Sequence, residues 1–289
     1  MGVGAVAMSG RLLALACLAV SLATAGDDLA LAQAETIKRT FPAAKNLDVD
    51  NFDGAVTVTG ANVRDIEIEV HKTIRARSAE KIEEAKREVR LDMEERGDGV
   101  RLYVDGPFRC RCGDGSINYR GSHYYGYEVS FDFTVKAPRE TNLRLRAVNH
   151  GDIRVENTAG AFDVENINGG IDLIEVAGSG HAYALNRPLN VGFSSNPKDK
   201  SDFGSLNGTV EVTFRPGLSA DVWLKTFNGE AYTDFDVSML PARPAASVQR
   251  NGKYVYKSHE YHGVRVGNGG PELSFNTLNG DILIRKRGN

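Results

Sequence analysis

Three groups of residues in this 289-residue chain have side chains that can do chemistry. The first is Cys110-Arg111-Cys112, with His123 close behind. Two thiolates and one imidazole leave a four-coordinate metal site one ligand short, and Cys-x-Cys is not the common Cys-x-x-Cys spacing. In an oxidising compartment Cys110 and Cys112 pair instead, with each other or with another chain, and a free pair of thiols is the competing state. The second is His259-Glu260-Tyr261-His262. A zincin needs His-Glu-x-x-His on a helix, whereas two histidines three apart on a strand point to opposite faces. The third is Asp152, Asp172 and Asp281, which lack the spacing of a calcium loop. No Gly-x-Ser-x-Gly elbow, phosphate loop or dinucleotide fingerprint occurs. The sequence therefore names no catalytic residue, no metal ligand set and no cofactor. Paired carboxylates are the one catalytic device that needs no local motif, which keeps a β-helical polysaccharide-acting enzyme as the rival to a binding protein.

The strongest binding candidate is the segment 106–126 with its continuation. It gathers Tyr119, Tyr124, Tyr125 and Tyr127 with Arg109, Arg111 and Arg120. Tyr and Arg dominate interface hot spots, and exposed loops often carry recognition. The competing reading is a surface excursion pinned by Cys110 and Cys112.

The elements that would position these residues announce themselves by a recurring phrase: a hydrophobic residue, Asn-Gly, then a short alternating strand. It reads Ile167-Asn168-Gly169-Gly170-Ile171, Leu206-Asn207-Gly208-Thr209-Val210, Phe227-Asn228-Gly229-Glu230-Ala231 and Leu278-Asn279-Gly280-Asp281-Ile282. Looser copies are Val148-Asn149-His150-Gly151 and Phe52-Asp53-Gly54. The glycines at 151, 169, 208, 229 and 280 are separated by 18, 39, 21 and 51 residues. The second gap fits two periods with a degraded copy near Leu185-Asn186-Arg187-Pro188-Leu189; the last holds an insertion at about 239–262 containing Tyr254, Tyr256 and Tyr261. A fixed period points to repeat architecture.

Two folds fit that period. In an antiparallel meander each Asn-Gly is a type I′ hairpin turn, with φ > 0 at both central residues. In a β-solenoid each period is one coil and the turns stack. The whole phrase recurs in register, which favours the solenoid. Asn149, Asn168, Asn207, Asn228 and Asn279 would then form a ladder with Gly169, Gly208, Gly229 and Gly280 beside it, a structural device in which Asn tolerates the left-handed conformation and bonds the neighbour above. The N-terminal half adds an alternating strand over Val63–Thr73, a helix from an N-cap at Ser78 through Ala79 to about Val89, and a hairpin around Gly97-Asp98-Gly99. The fold class is all-β: a β-solenoid stack of short strands with one helix and a hairpin in the N-terminal half.

Residues 1–34 read as an export signal. Arg11 is the n-region, Leu12–Leu22 the apolar h-region, and Ala23-Thr24-Ala25 and Ala32-Gln33-Ala34 offer two cleavage sites. The apolar run of about 11 residues is short of the roughly 20 that a membrane span needs. Cys17 lacks the preceding Leu of a lipoprotein signal. The parent chain carries a net charge of −3; losing Arg11, Asp27 and Asp28 leaves 34 basic against 36 acidic residues. A near-neutral chain without a basic block has no electrostatic footprint for nucleic acid. The expected organisation is signal 1–34, an N-terminal β region 35–141 and a repetitive region 142–289.

The phrases VNHGDIRVENTAGAFDVENINGGIDL, SLNGTVEV and NTLNGDILI resemble the bacterial family named putative adhesins, exported β-solenoid proteins whose domain has no established function. The resemblance spans roughly residues 45–286. It implies fold and export, and supplies no catalytic residues. The function expected is a non-enzymatic, exported adhesin-like or scaffold protein in the periplasm or at the cell surface, meeting an envelope glycan or protein. The alternatives are the polysaccharide-acting enzyme and an envelope-stress accessory protein.

Overall fold

The computed structural model describes residues 19–22, 29–110, 125–241, 246–250, 253–257 and 261–288. Alternation of apolar and polar residues sets most strands. In order they are β1 (Ala19–Leu22), β2 (Leu31–Phe41), β3 (Asn46–Asp50), β4 (Val56–Ala61), β5 (Ile66–Ala76), then the helix α1 (Ala79–Glu88), β6 (Arg90–Arg96), β7 (Gly99–Asp105) and β8 (Tyr127–Pro138). Next come β9 (Asn142–Ala147), β10 (Ile153–Glu156), β11 (Phe162–Asn166), β12 (Ile171–Val176), β13 (Gly180–Ala184), β14 (Leu189–Phe193), β15 (Ser201–Ser205) and β16 (Val210–Phe214). The chain finishes with β17 (Ala220–Asn228), β18 (Ala231–Thr233), β19 (Val237–Met239), β20 (Ala246–Arg250), β21 (Lys253–Lys257), β22 (His262–Val266), β23 (Glu272–Asn279) and β24 (Ile282–Lys286).

The protein is all-β, with one helix among the described residues. Two sheets of eleven strands hold nearly everything: sheet I runs β1-β2-β5-β8-β4-β10-β12-β14-β16-β24-β18, and sheet II runs β19-β22-β17-β23-β15-β13-β11-β9-β3-β7-β6. β20 and β21 pair with each other alone. Each Asn-Gly turn carries the chain from a strand of sheet II to a strand of sheet I, and successive strands within a sheet are parallel: β9 to β11 to β13, and β10 to β12 to β14. That pairing rules out the hairpin meander, whose Asn-Gly turns would join antiparallel neighbours. We call one sheet II strand, its turn and the following sheet I strand a rung.

Inward residues at alternate positions form the core between the sheets. Phe193 stacks on Phe214 at 5.2 Å and Phe203 lies 5.3 Å from Phe275, all four buried. Each buried Phe contributes about 1.5–3 kcal/mol through removal of apolar surface from water.

Rung order in space departs from sequence order at the C-terminal end. The last rung of the chain, β23–β24, sits between β15–β16 and β17–β18. Hydrophobicity explains the exchange. Leu273, Phe275, Ile282 and Ile284 are buried in the inner place, while Ala231, Tyr232 and Thr233 of β18 lie exposed at the edge.

At the other end the strands turn antiparallel, β5 with β8 and β6 with β7. Between β5 and β6 the chain forms α1. The Ser78 hydroxyl accepts a hydrogen bond from the Lys81 amide at 3.3 Å, capping the helix, and Ala85 is fully buried while Ile82 packs on the core.

β2 also bears on the export signal. Its residues Leu31–Ala34 pair with Ala76–Thr73 of β5. Cleavage after Ala34 would therefore cut through a strand, whereas cleavage after Ala25 would leave β2 whole. Residues 1–18 and 23–28, which hold Arg11, Cys17 and the first cleavage site, lie outside the described residues.

Candidate binding surface

The turns stack into one edge. Asn168 Nδ2 donates to Asn149 Oδ1 (3.3 Å), Asn186 to Asn168 (2.9 Å), Asn207 to Asn186 (3.0 Å), Asn279 to Asn207 (2.7 Å) and Asn228 to Asn279 (2.7 Å). All the bonds run one way, so each inner Asn donates once and accepts once. None of these asparagines has a positive φ, so the left-handed part of the expectation fails: among non-glycine residues described, only Asn157 and Glu175 lie there. The turns cross between sheets rather than reversing within one, so they do not need a type I′ geometry.

Glycine is required by proximity. A Cβ on Gly169 would come 1.9 Å from the Gly151 carbonyl oxygen, one on Gly208 2.3 Å from that of Arg187, one on Gly280 2.4 Å from that of Gly208, and one on Gly229 2.1 Å from that of Gly280. The aspartates after these turns are engaged too. Asp152 accepts from the Gly170 amide at 2.7 Å, Asp281 from Glu230 at 2.9 Å, and Asp172 from Asn190 at 2.8 Å. They tie rung to rung rather than standing ready as calcium ligands.

A column missed by sequence reasoning lies inside this edge, two residues before Asn168, Asn207, Asn279 and Asn228 and before Asp53 of the first rung; before Asn149 and Asn186 the position holds Ala147 and Ala184. Asn166 donates to the carbonyls of Gly151 and Gly170, both at 3.1 Å; Ser205 Oγ donates to Arg187 (3.2 Å), Thr277 Oγ1 to Gly208 (3.3 Å) and Thr226 Oγ1 to Gly280 (3.0 Å). Asn51 donates to Gly54 at 2.9 Å and to Phe131 at 2.8 Å. The signal was available as a small polar residue preceding the hydrophobe: Asn-Ile-Asn-Gly, Ser-Leu-Asn-Gly, Thr-Phe-Asn-Gly and Thr-Leu-Asn-Gly. Each inner ladder Asn still keeps one N–H and one lone pair toward solvent, so the ladder ties the rungs together without using up the polar edge.

Charged groups gather where the ladder meets the antiparallel strands. A cleft of about 490 Å³ is lined by Asp53, Gly54, Thr73, Arg75, Glu128, Ser130, Asp132, His150 and Gly151. Two turns and the outer faces of β5 and β8 position them. Asp53 takes the ladder position of the first rung, and its Oδ2 lies 3.3 Å from Nδ1 of the exposed His150. Burial raises the Asp53 carboxyl above its ordinary range; the His150 hydrogen bond opposes this, and the nearby Glu128 and Asp132 charges add to it. Asp132 accepts from the Ala55 amide at 2.9 Å and is held in place. Arg75 and Glu128 are exposed. The cleft can thus present carboxylates, an imidazole and a guanidinium to a polar ligand.

The described end of the Tyr- and Arg-rich segment, Tyr125 and Gly126, leads into β8, whose Glu128 lines the cleft. Arg111, Cys112, Tyr119, Arg120 and Tyr124 lie outside the described residues, as does His123. Cys110 is disulfide-bonded, with its partner outside the described residues. Two of the binding candidates are corrected. The Arg109 side chain is 5% exposed, pairs with Asp50 at 2.8 Å, donates from Nε to the Val104 carbonyl at 2.9 Å and sits 4.7 Å from the Tyr103 ring centroid. It anchors the start of the loop and cannot reach a partner. Tyr127 is buried, its hydroxyl donates to Glu88 and burial raises its pKa, so it fastens β8 to α1. Tyr125 is half-buried and stacks 5.7 Å from Tyr127. In the Tyr-rich insertion, His259 and Glu260 fall outside the described residues, while His262 begins β22.

A second charged cluster lies on the outer face of sheet II. Asp163, Glu165 and His181 converge, but Arg146 bridges the two carboxylates at 2.7 and 3.2 Å. A guanidinium in that position satisfies the acids and opposes a cation.

No protein-family model matches the chain, and no curated protein matches it. Solved structures similar to it include a putative cell adhesion protein from Clostridium sporogenes, 10% identical, covering 87% of this chain and 100% of that one with a TM-score of 0.39. A putative adhesin from Bacteroides fragilis is 12% identical over 87% of this chain and 97% of its own, with a TM-score of 0.34. A putative lipid binding protein from Parabacteroides distasonis is 12% identical over 88% and 97%, with a TM-score of 0.27.

Proposed function

We propose that the chain is an exported, non-enzymatic scaffold: a β-solenoid that holds out a polar cleft, with the Tyr- and Arg-rich 106–126 segment as a further contact, to a glycan or protein of the cell envelope. The observation that carries this reading is the division of polar groups. Along the Asn-Gly edge the groups are uncharged amides that tie rung to rung, whereas two acids, a guanidinium and an imidazole, Asp53, Glu128, Arg75 and His150, converge on an open cleft. The disulfide at Cys110 supports an oxidising compartment. The pairing of Leu31–Ala34 within β2 supports signal cleavage after Ala25. Described residues contain no helix long and apolar enough to cross a membrane.

One observation favours a second reading. A carboxyl pushed upward beside other carboxylates in a cleft is the arrangement of a general acid, so Asp53 with Glu128 or Asp132 is where a polysaccharide-cleaving activity would sit. One experiment separates the two. Residues 26–289 are applied to glycans and envelope components with product analysis on every hit. Bound, unchanged ligand that is lost in Tyr125→Ala and Glu128→Gln supports the scaffold. Released fragments that vanish in Asp53→Asn replace it with the enzyme. Ligand retained by both cleft and loop variants overturns the placement of the surface.

A further inference from the structure

The outer face of sheet I holds a second cavity, of about 620 Å³, beyond the cleft. Strand parity and register show how the two are related. On β8 the outward residues from Glu128 to Lys136 are Glu128, Ser130, Asp132, Thr134 and Lys136, because Val129, Phe131, Phe133 and Val135 between them are buried. The cleft takes the first three and the second cavity the last two, so none is skipped. β5 divides the same way: Arg75 and Thr73 line the cleft, Glu69 and Glu67 the second cavity, and His71 stands between. His71 lies opposite Asp132, with its Nδ1 2.9 Å from the Thr36 hydroxyl of β2. The two cavities are thus neighbouring stretches of one trough along β5 and β8. From Arg75 to Glu67 it is about 27 Å long, at roughly 3.4 Å per residue of strand.

The lining says what such a trough can hold. Acid and base face each other in register: Arg75 with Glu128, His71 with Asp132 and Glu67 with Lys136, while Glu69 pairs with Lys38 of β2 at 2.9 Å. Both signs therefore stand side by side along the whole length, and there is no single-sign field to draw in a polyanion or a polycation. Between the charges lie the hydroxyls of Thr36, Thr40, Thr73, Ser130 and Thr134, each able to donate and to accept. The outward residues of β5 and β8 include no large apolar side chain, so a lipid tail or an amphipathic helix would have nothing to bury. An extended peptide would need a strand edge to pair with, but β5 is bonded on both sides, by β2 and by β8. A polyhydroxylated chain needs none of these.

We infer that the cleft and the second cavity form one site for a neutral, extended β-linked glycan, its hydroxyls bonded by the matched acids and bases of β5 and β8 and by the Thr and Ser hydroxyls between them. A trough that follows two strands over this length suits a chain of several sugar units rather than a single one. The inference rests on the cleft being a binding surface, and adds to it the ligand's class, its length and the second cavity.

Isothermal titration of residues 26–289 with cello-oligosaccharides and N-acetylchito-oligosaccharides, dimer to hexamer, tests it. The expected result is affinity in at least one series that rises about tenfold from dimer to hexamer, a gain that one or two added hydrogen bonds supply. Glu67→Ala with Lys136→Ala, both exposed at the end far from the cleft, should remove that gain and leave the dimer's affinity and the circular dichroism unchanged. Glu128→Ala, in the cleft, should weaken binding at every length. Equal affinity for dimer and hexamer, with loss only in Glu128→Ala, overturns the trough and leaves the cleft standing. Loss only in the far-end variant overturns the cleft as well, and makes the second cavity the site. Binding to neither series overturns the glycan assignment, as does a Ser- and Thr-rich extended peptide bound in their place.

Discussion

At the N-terminal end of the stack the last apolar layer lies under α1 and the antiparallel strands β5, β8 and β2, with Ala85, Val89 and Phe131 at 1% exposure or less. At the C-terminal end of the stack Phe227 and Met239 are more than 70% exposed, and β18 and β19 are three residues each. The middle rungs need neither arrangement, because each is covered on both sides by its neighbours. A repeat therefore solves burial everywhere except at its ends, and this chain covers one end with a helix of its own. Short edge strands limit the hazard at the other without removing it.

The largest effect should come from equal truncations at the two ends. Phe131→Ala removes a fully buried ring of β8 and should cost about 3–5 kcal/mol, whereas Met239→Ala should stay within about 0.5 kcal/mol. Urea unfolding reads both. Similar losses would mean that the C-terminal end is covered too, and the comparison would collapse. Between the ends, Gly169→Ala forces a methyl to within 1.9 Å of the Gly151 oxygen, so neighbouring rungs must part, at a cost of about 1–3 kcal/mol. A neutral result would show that the rungs are not in close contact.

The ladder sharpens the comparison further. Asn207 donates to Asn186 and accepts from Asn279, while Asn228 donates to Asn279 and, among the described residues, no other Asn bonds to it. Asn207→Ala should therefore cost about 1 kcal/mol and Asn228→Ala roughly half of it, given about 0.5–1 kcal/mol for each exposed amide bond. Thermal melts decide it: equal shifts would mean that the bonds are not the source of the effect.

How much of this was legible follows from where the physics is local. The α1 boundaries were, because Ser78 and the Ile82, Ala85, Val89 spacing are local signals. So was the strand carrying Ile66, Ile68 and Val70, although it begins at Ile66 and runs to Ala76 rather than ending at Thr73. The rung at Leu185–Leu189 was recognisable from its spacing even without glycine. The exchange of the last two rungs was not, since which of two similar segments is sandwiched depends on their relative hydrophobicity in the assembled stack. Arg109 and Tyr127 misled because Tyr and Arg serve an interface and a half-buried anchor equally well. The distinguishing partners, Asp50 and Glu88, are 59 and 39 residues away in sequence. The cleft was invisible for the same reason: Asp53, Glu128 and His150 come from three distant segments.

The smallest effect lies at the sealed end of the ladder, where a carboxylate replaces the amide. Burial raises the Asp53 pKa, so the folded chain holds that proton at a pH where the unfolded chain, with its carboxyl near 3.9, has released it. Through the window from about pH 4 up to the raised value, the native state binds more protons than the unfolded one. Stability from this group therefore falls as pH rises through the window and stays lower above it. Asp53→Asn removes the buried charge and gives the first rung an amide like those of the middle rungs. Its melting temperature should exceed the wild type's at pH 7, and the gap should close below about pH 4. Comparing variant with wild type at each pH cancels the titration of the other carboxylates. A variant less stable at pH 7 would mean that the Asp53–His150 contact outweighs the burial, and that the sealed end is held by that pair as well as by α1.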